Sequence, residues 1–534
     1  MEPKVAYLSS EFALDDALPI YAGGLGVLAA DILYQAAESN FPLTGITVFY
    51  REGFFKQGIE PDGRQKSFYE QIDPQAAGLK DTESTIKVPL AGHEVSLKIW
   101  RKDVSFKGGN SAPLYLMDAD IEENRPEDRK ITDRLYERVW APHIIDDLVL
   151  GVGSVRLARE LKLPIQVWHI NDDHGTLNIL ERLREQLSQG LSLQEAREKV
   201  KSETVFTTHT PVAGAESKFT RDEFFPLLTT LFSGINIDLE EIWQLGKREW
   251  QGQEVFSLTV FAMRHSRAVN AVSQKHFNVS KKLWEFISEN VPTTYVTNAV
   301  YGPRWTPAES EKSVIKESAA AEIQKLSLDG KTFDPKSLVL AWCRRFAAYK
   351  QPNLLLTDEQ RLLKILTNPE KPVYLLVAGK AHPEDPEGQE FVRRAIEFSR
   401  RTQVQNRFIY IPNYSLNSAR PLLAASDVWL NTPKVGWEAS GTSGMKAVFN
   451  QSLNVMTPDG WWPEGYNRKN GWVIEPEGDD YATPLYRIIE EEIIPTYYER
   501  QDKWREMIKE AQQTCGEKFD AKRMLGEYRQ LYGI

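Results

Sequence analysis

Short apolar runs alternate with amphipathic helical stretches along most of this chain, and the alternation occurs twice, before and after a polar stretch at 307–335. A strand that feeds a helix and returns to a strand in the same direction builds a parallel sheet with right-handed crossovers. In the first half, strands are expected at 5–9, 46–50, 165–170, 204–208, 268–273 and 294–297, with a helix at 27–39. Residues 84–118 alternate apolar and polar with glycines at the turns, which predicts antiparallel strands inserted there. In the second half, strands are expected at 338–342, 373–378, 408–411, 428–431, 454–456 and 472–474. The charged stretch from Thr496 onward reads as packed helix. The expected fold is α/β, with two doubly wound Rossmann-like domains, 1–306 and 307–534, facing a central cleft. The last helices are free to pack back on the first domain. Ligands of such folds sit at the carboxyl ends of the strands.

Composition excludes several classes. No run of eighteen apolar residues occurs, and the start, MEPKVAYLSSEF, has no charged-then-apolar leader, so neither a membrane span nor a secretion signal is read. Only Cys343 and Cys515 are present, which rules out a disulfide framework and fits a reducing, cytoplasmic compartment. The net charge is −10 and no basic block stands out, which argues against nucleic acid. Any phosphate site must therefore gather cations locally, against the overall sign.

The residues that carry chemistry cluster just after expected strands. Tyr21-Ala22-Gly23-Gly24-Leu25-Gly26-Val27 follows the first strand and opens a helix. Its glycines let backbone N–H groups approach an anion, although a tight turn explains such a motif equally well. Glu438-Ala439-Ser440-Gly441-Thr442-Ser443-Gly444-Met445-Lys446 follows the strand at 428–431. Its small residues permit close approach to a sugar or phosphate. The lysine, followed by Ala447, Val448 and Phe449, is expected to be partly buried, and a desolvated lysine is a better nucleophile toward a carbonyl carbon. Arg344-Arg345-Phe346-Ala347-Ala348-Tyr349-Lys350 places three cations directly after a buried strand. Cations at a helix start oppose the helix dipole, which favours a bound anion as the reason for them.

In the first half, His169-Ile170-Asn171-Asp172-Asp173-His174 and Thr207-Thr208-His209-Thr210-Pro211 each end an expected strand. A metal is not expected. The five-residue histidine spacing is no recognised ligand pair and no third ligand is evident. Hydrogen bonding to sugar hydroxyls uses the same residue types. Thr297-Asn298 ends a further strand and adds an amide with both donor and acceptor.

Together these motifs resemble the α-glucan (glycogen, starch and maltodextrin) phosphorylases in their short form, from Val5 to Ile474 and in family order. The resemblance implies a GT-B-type glycosyltransferase that converts α-1,4-glucan and inorganic phosphate reversibly to glucose 1-phosphate, with retention and with pyridoxal phosphate. The family's cofactor lysine maps to Lys446. Arg345 and Lys350, five residues apart, match its phosphate-binding pair. With His209 beside the transferred glucose and Lys446, these make up the implied catalytic set. Gly23, Gly24, Arg344, Tyr414, Thr442 and Ser443 are implied at the cofactor. Leu25, Asp172, His174, His209, Asn298, Tyr349, Glu438, Ser440 and Gly441 are implied at the sugar, with Asn298 at the 6-hydroxyl and Glu438, Ser440 and Gly441 at the 3- and 4-hydroxyls. The partners implied are a maltooligosaccharide or longer glucan, phosphate and glucose 1-phosphate. A homodimer is left open.

The chain departs from the family at two points. Its lysine motif reads Thr442-Ser443-Gly444-Met445-Lys446, as in short bacterial members, where animal enzymes have Thr-Gly-Asn-Met-Lys, and the family's Asn-Gly pair is Asn298-Ala299. Because the sequence starts at its core strand, neither nucleotide nor phosphorylation control is expected, and short maltodextrins are expected to be preferred to glycogen. Two rival readings are a sugar-nucleotide-dependent glucosyltransferase resembling glycogen synthase and a non-catalytic glucan-binding protein. The first carries a lysine just before its glycines, where Tyr21 and Ala22 stand here. The second would dispense with Lys446, Arg345 and Lys350, and all three are present.

Overall fold

The computed structural model describes residues 2, 4–90, 92–105, 109–137, 144–287, 291–404 and 406–534. The chain divides into two compact units that do not follow a single cut. One holds Met1–Phe54, Glu70–Thr297 and Met524–Ile534, and the other holds Phe55–Tyr69 and Asn298–Arg523.

The first unit is built on a nine-stranded sheet. Seven strands are parallel, in the order Thr294–Tyr295, Ala268–Ala271, Thr204–Thr207, Val167–Asn171, Val5–Leu8, Leu43–Val48 and Ser111–Asp118. His93–Ser105 and Lys80–Leu90 extend the sheet antiparallel, as the alternation across 84–118 predicts, though residues 91 and 106–108 of that stretch lie outside the described residues. Val5–Leu8 and Val167–Asn171 are buried throughout, as strands covered on both faces must be. A three-stranded antiparallel sheet, Lys218–Thr220, Gln253–Ser257 and Lys247–Trp250, was not read from the sequence. The helix Ala521–Tyr532 brings Tyr532 into this unit's core, where its hydroxyl lies 2.6 Å from His169 Nδ1.

The second unit holds a six-stranded, fully parallel sheet. Its order is Phe408–Ile411, Val373–Ala378, Leu338–Cys343, Val428–Asn431, Leu453–Met456 and Gly471–Val473. All six strands coincide within a residue or two with those expected. The hairpin Lys56–Ile59 and Gln65–Phe68 belongs to this unit although it lies early in the chain. Gln57 Nε2 donates to the Tyr410 hydroxyl at 3.1 Å, and Gln65 Nε2 donates to the Ala381 carbonyl at 2.8 Å. The charged tail is helical, with Trp504, Met507, Ala511 and Cys515 of Gln501–Lys518 buried. No helix among the described residues is long and apolar enough to cross a membrane.

Candidate active site

In the second unit the strand order reverses at Leu338–Cys343, which pairs with Val373–Ala378 on one side and Val428–Asn431 on the other. At such a switch point the connections diverge and the carboxyl ends of the two neighbouring strands are left accessible. Arg344 and Arg345 continue directly from the first of these strands, and the loop to Glu438 leaves the second.

Glu438 Oε2 accepts hydrogen bonds from Lys350 Nζ at 2.7 Å and Arg344 Nη2 at 3.1 Å. Burial alone would raise this carboxyl, but Lys350, Arg344 and Arg345 outweigh it and hold the group down to about 2. Arg344 keeps two more donors, Nε and Nη1, buried with no partner among the described residues. Leaving one such donor unmet costs about 1–3 kcal/mol, and more when it is charged. Two unmet cationic donors beside Glu438 suit an anionic acceptor. Arg345 is exposed and bears on Glu438 through its charge.

The backbone under Glu438 is held from below. Asp459, 1% exposed, accepts from the N–H groups of Trp437 at 3.1 Å and Glu438 at 2.9 Å through Oδ2. Gly441 turns the chain at φ +79°, a region costly for a residue with a Cβ. Ser440 Oγ and Asn298 Oδ1 are buried and also have no hydrogen-bond partner among the described residues.

Lys446 sits on the helix Ser443–Phe449. Ser443 Oγ accepts from Trp429 Nε1 and donates to Asn431 Oδ1, both at 3.2 Å, which pins the helix start to the strand beside it. Thr442 is the preceding N-cap residue. At Gly444 a Cβ would collide with Asn454 Oδ1, so the small residue brings the helix against the next strand. Lys446 is buried to 8% exposure, with its ammonium 4.5 Å from the centre of the Trp305 ring. Asn450 Nδ2 ties the two by donating to the carbonyls of Lys446 at 3.0 Å and Trp305 at 2.9 Å. Tyr414 follows Phe408–Ile411, half-buried, and burial raises its hydroxyl above the usual range.

In the first unit the order reverses at Val5–Leu8, between Leu43–Val48 and Val167–Asn171. Glu11 lies just beyond this strand and fills part of the glycine turn. Its Oε2 accepts from the N–H groups of Ala22 at 2.8 Å, Gly23 at 3.1 Å and Gly26 at 3.3 Å, while Oε1 accepts from the Tyr136 hydroxyl at 2.9 Å. A Cβ on Gly26 would lie 2.9 Å from Glu11 and 2.8 Å from Tyr21, so that glycine serves the protein's own packing. At Gly23 and Gly24 an added Cβ meets nothing within 4 Å. Packing therefore does not demand these two glycines. The amides of Gly24 and Leu25, at the start of the helix Gly24–Glu38, precede its hydrogen-bond ladder.

Beyond Val167–Asn171, Asp172 adopts φ +67°, a strained value for a residue with a side chain. His209 Nε2 donates to Asn171 Oδ1 at 2.8 Å. Burial, then His276, holds His209 down to about 3, so its ring is neutral and Nδ1 carries a lone pair. His174 behaves oppositely. Burial alone would lower it, but its 3.1 Å bond to the fully buried Asp147 carries it up to about 10. Asp173 is consumed internally by the Ser217 N–H at 2.7 Å and the Thr259 hydroxyl at 3.0 Å. His169 belongs to the core, with Nε2 2.7 Å from the Thr207 hydroxyl, which removes it from any sugar-binding role. Among the described residues no group of three or more His, Cys, Asp or Glu is placed to hold a metal ion.

Glu11, Asp147, Trp305 and Asp459 are among the residues of these arrangements that were not singled out from the sequence. Glu11 was legible, because it follows a buried strand as Arg344 does. Asp147 lies inside the helix Ile144–Glu160, where no local pattern marks it.

A family model described as carbohydrate phosphorylase matches residues 305–462, the span that holds Trp305, the cation cluster, Glu438 and Lys446. The maltodextrin phosphorylase of Thermococcus litoralis is 35% identical to this chain, over 99% of the chain and 70% of the relative. The chain belongs to the carbohydrate phosphorylase family. The glycogen phosphorylase of Aquifex aeolicus is 33% identical over 98% of the chain and 85% of its own length. That of Mycobacterium tuberculosis is 33% identical over 99% and 70%. The family resemblance read from the motifs therefore holds across nearly the whole chain.

Proposed function

We propose that this member of the family catalyses the reversible phosphorolysis of α-1,4-glucans to glucose 1-phosphate, with retention of configuration and with pyridoxal phosphate carried on Lys446. The observation that carries the reading is Arg344, which shares Glu438 with Lys350 and keeps two buried donors unmet. Enzymes of this family generally use pyridoxal phosphate, and the residues present fit it. Lys446 is buried behind a run of small residues, and Gly23 and Gly24 keep open space where side chains would stand. Lys446, Tyr414, Thr442, Ser443, Arg344, Gly23 and Gly24 would hold the group. When bound, it supplies a phosphate that exchanges a proton with the substrate phosphate.

The chain's own residues do the rest. Arg345 and Lys350, with Arg344, bind the substrate phosphate and offset the repulsion between two phosphate groups. Glu438 stays ionised and accepts from a sugar hydroxyl, and Ser440 and Gly441 complete the contacts to the 3- and 4-hydroxyls. Asn298, with its unpartnered Oδ1, accepts from the 6-hydroxyl. Neutral His209 offers Nδ1 to the glucosyl unit, and Leu25, Asp172, His174 and Tyr349 contact the sugar chain. No pair of protein carboxylates is required, unlike in hydrolases. Excluding water makes phosphate the acceptor. A GT-B-type fold, with functional halves at 1–306 and 307–534, a cytoplasmic setting and a homodimer belong to the same proposal.

The test is release of glucose 1-phosphate from a panel of maltooligosaccharides and glycogen. Release that requires inorganic phosphate is expected. Free glucose or maltose as the product, or transfer that needs a sugar nucleotide, would refute the proposal.

A further inference from the structure

Trp437 directly precedes Glu438 and is 48% exposed, the only exposed tryptophan among the described residues. An indole left in water contributes little to packing, and this one is not on a loose segment. The Trp437 backbone N–H donates to Asp459 Oδ2 at 3.1 Å and to the Lys434 carbonyl at 3.1 Å. The Lys434 N–H in turn donates to the Tyr349 carbonyl at 2.7 Å, joining the loop to the segment that carries Lys350. The Trp437 and Tyr349 rings lie 6.3 Å apart at 26°, in the offset-stacked range. The Lys350 ammonium sits 4.7 Å from the Tyr349 ring. The residues that precede Lys350 and Glu438 in sequence are thus stacked together, beside the ion pair of the residues that follow them.

We propose that Trp437, oriented by Tyr349, is a stacking surface for a pyranose ring of the glucan bound at Glu438, and so determines affinity for the carbohydrate substrate. A pyranose has polar hydroxyls around its edge and an apolar C–H face. A carboxylate serves the edge and a flat aromatic the face, and here the two are consecutive residues on one anchored backbone. A rigid aromatic ring also gives contact area at small cost in side-chain entropy. The occupant is a sugar rather than a protein surface because the indole is continuous with the hydroxyl acceptor. This inference rests on the proposed glucan phosphorolysis.

The test compares Trp437→Ala, Trp437→Leu and Trp437→Phe with the parent enzyme. KM for maltoheptaose should rise about fivefold or more in Trp437→Ala, the loss typical of a contributing interface residue, with KM for phosphate changed less than about twofold. Trp437→Phe should recover most of the loss and Trp437→Leu little, because leucine restores apolar area without a flat face. Calorimetric titration with maltoheptaose should show the same order without relying on turnover. If the parent binds maltoheptaose but forms no glucose 1-phosphate, the phosphorolysis reading fails while the stacking is still measured. Equal maltoheptaose binding by all four proteins, recovery by leucine equal to that by phenylalanine, or a loss confined to phosphate would overturn the inference.

Discussion

Lys350 Nζ stands 2.7 Å from Glu438 Oε2, joining the ends of two adjacent parallel strands through residues 88 positions apart in the chain. The bond makes Glu438 a pH-sensitive part of stability. Its carboxyl falls from 4.5 to about 2 on folding, with the attraction of Lys350 and Arg344 outweighing burial. A depressed carboxyl contributes stability that is fully present above its unfolded value and is lost as pH falls through its folded value. The contribution is of order 3 kcal/mol at neutral pH. Glu438→Gln should therefore be less stable than the parent at pH 6, with the gap narrowing as pH drops from 4.5 toward 2. Urea unfolding at a series of pH values measures it, and a gap independent of pH would contradict the pairing.

Arg344→Ala and Arg345→Ala should each weaken phosphate use. Each removes a charge-assisted contact of about 1.5–3 kcal/mol, so phosphorolysis should fall about tenfold or more. Arg344→Ala also removes a hydrogen bond to Glu438 and should lower thermal stability more than Arg345→Ala, which takes away a charge acting on Glu438 from an exposed position. Unchanged phosphate kinetics in either variant would remove it from the anion site.

Lys446 should be the residue that carries the cofactor. After borohydride reduction of the purified holoenzyme and proteolysis, the pyridoxyl group is expected on the peptide containing Lys446. Lys446→Ala should purify without cofactor absorbance. Label on another lysine, or none, would refute the assignment.

His209 and His174 should titrate in opposite directions. With folded values of about 3 and about 10, His209 should stay neutral and His174 protonated from pH 5 to 8. For His209, the unfolded chain binds more protons between about pH 3 and 6.5, so its contribution to stability falls as pH drops through that window. For His174, the contribution is present below about 6.5 and lost as pH rises toward 10. Nitrogen-edited NMR of the imidazoles reads both states directly. Asp147→Asn should bring the His174 titration down by two units or so, because its largest favourable interaction is lost. His174 titrating unchanged in that variant would show that Asp147 does not set it.

The repeated strand–helix alternation and the small-residue runs were enough to place the six parallel strands of the second unit and to mark Arg344, Lys350, Glu438 and Lys446. Buried parallel strands are continuous apolar runs, and close backbone approach needs glycine, serine or threonine next to the chemistry, so both signals are local in sequence. The association of Gln57 and Gln65 with the second unit could not be read that way, nor could the entry of Tyr528 and Tyr532 into the core around His169. The same limit applied to Asp147 under His174, to Trp305 over Lys446, and to which N–H groups of the glycine turn Glu11 takes for itself. Those depend on which distant side chains are brought within hydrogen-bond or ring contact. That is decided when the chain packs, because a buried charge or donor is stabilised by whatever partner reaches it, and its neighbours in sequence do not determine that partner.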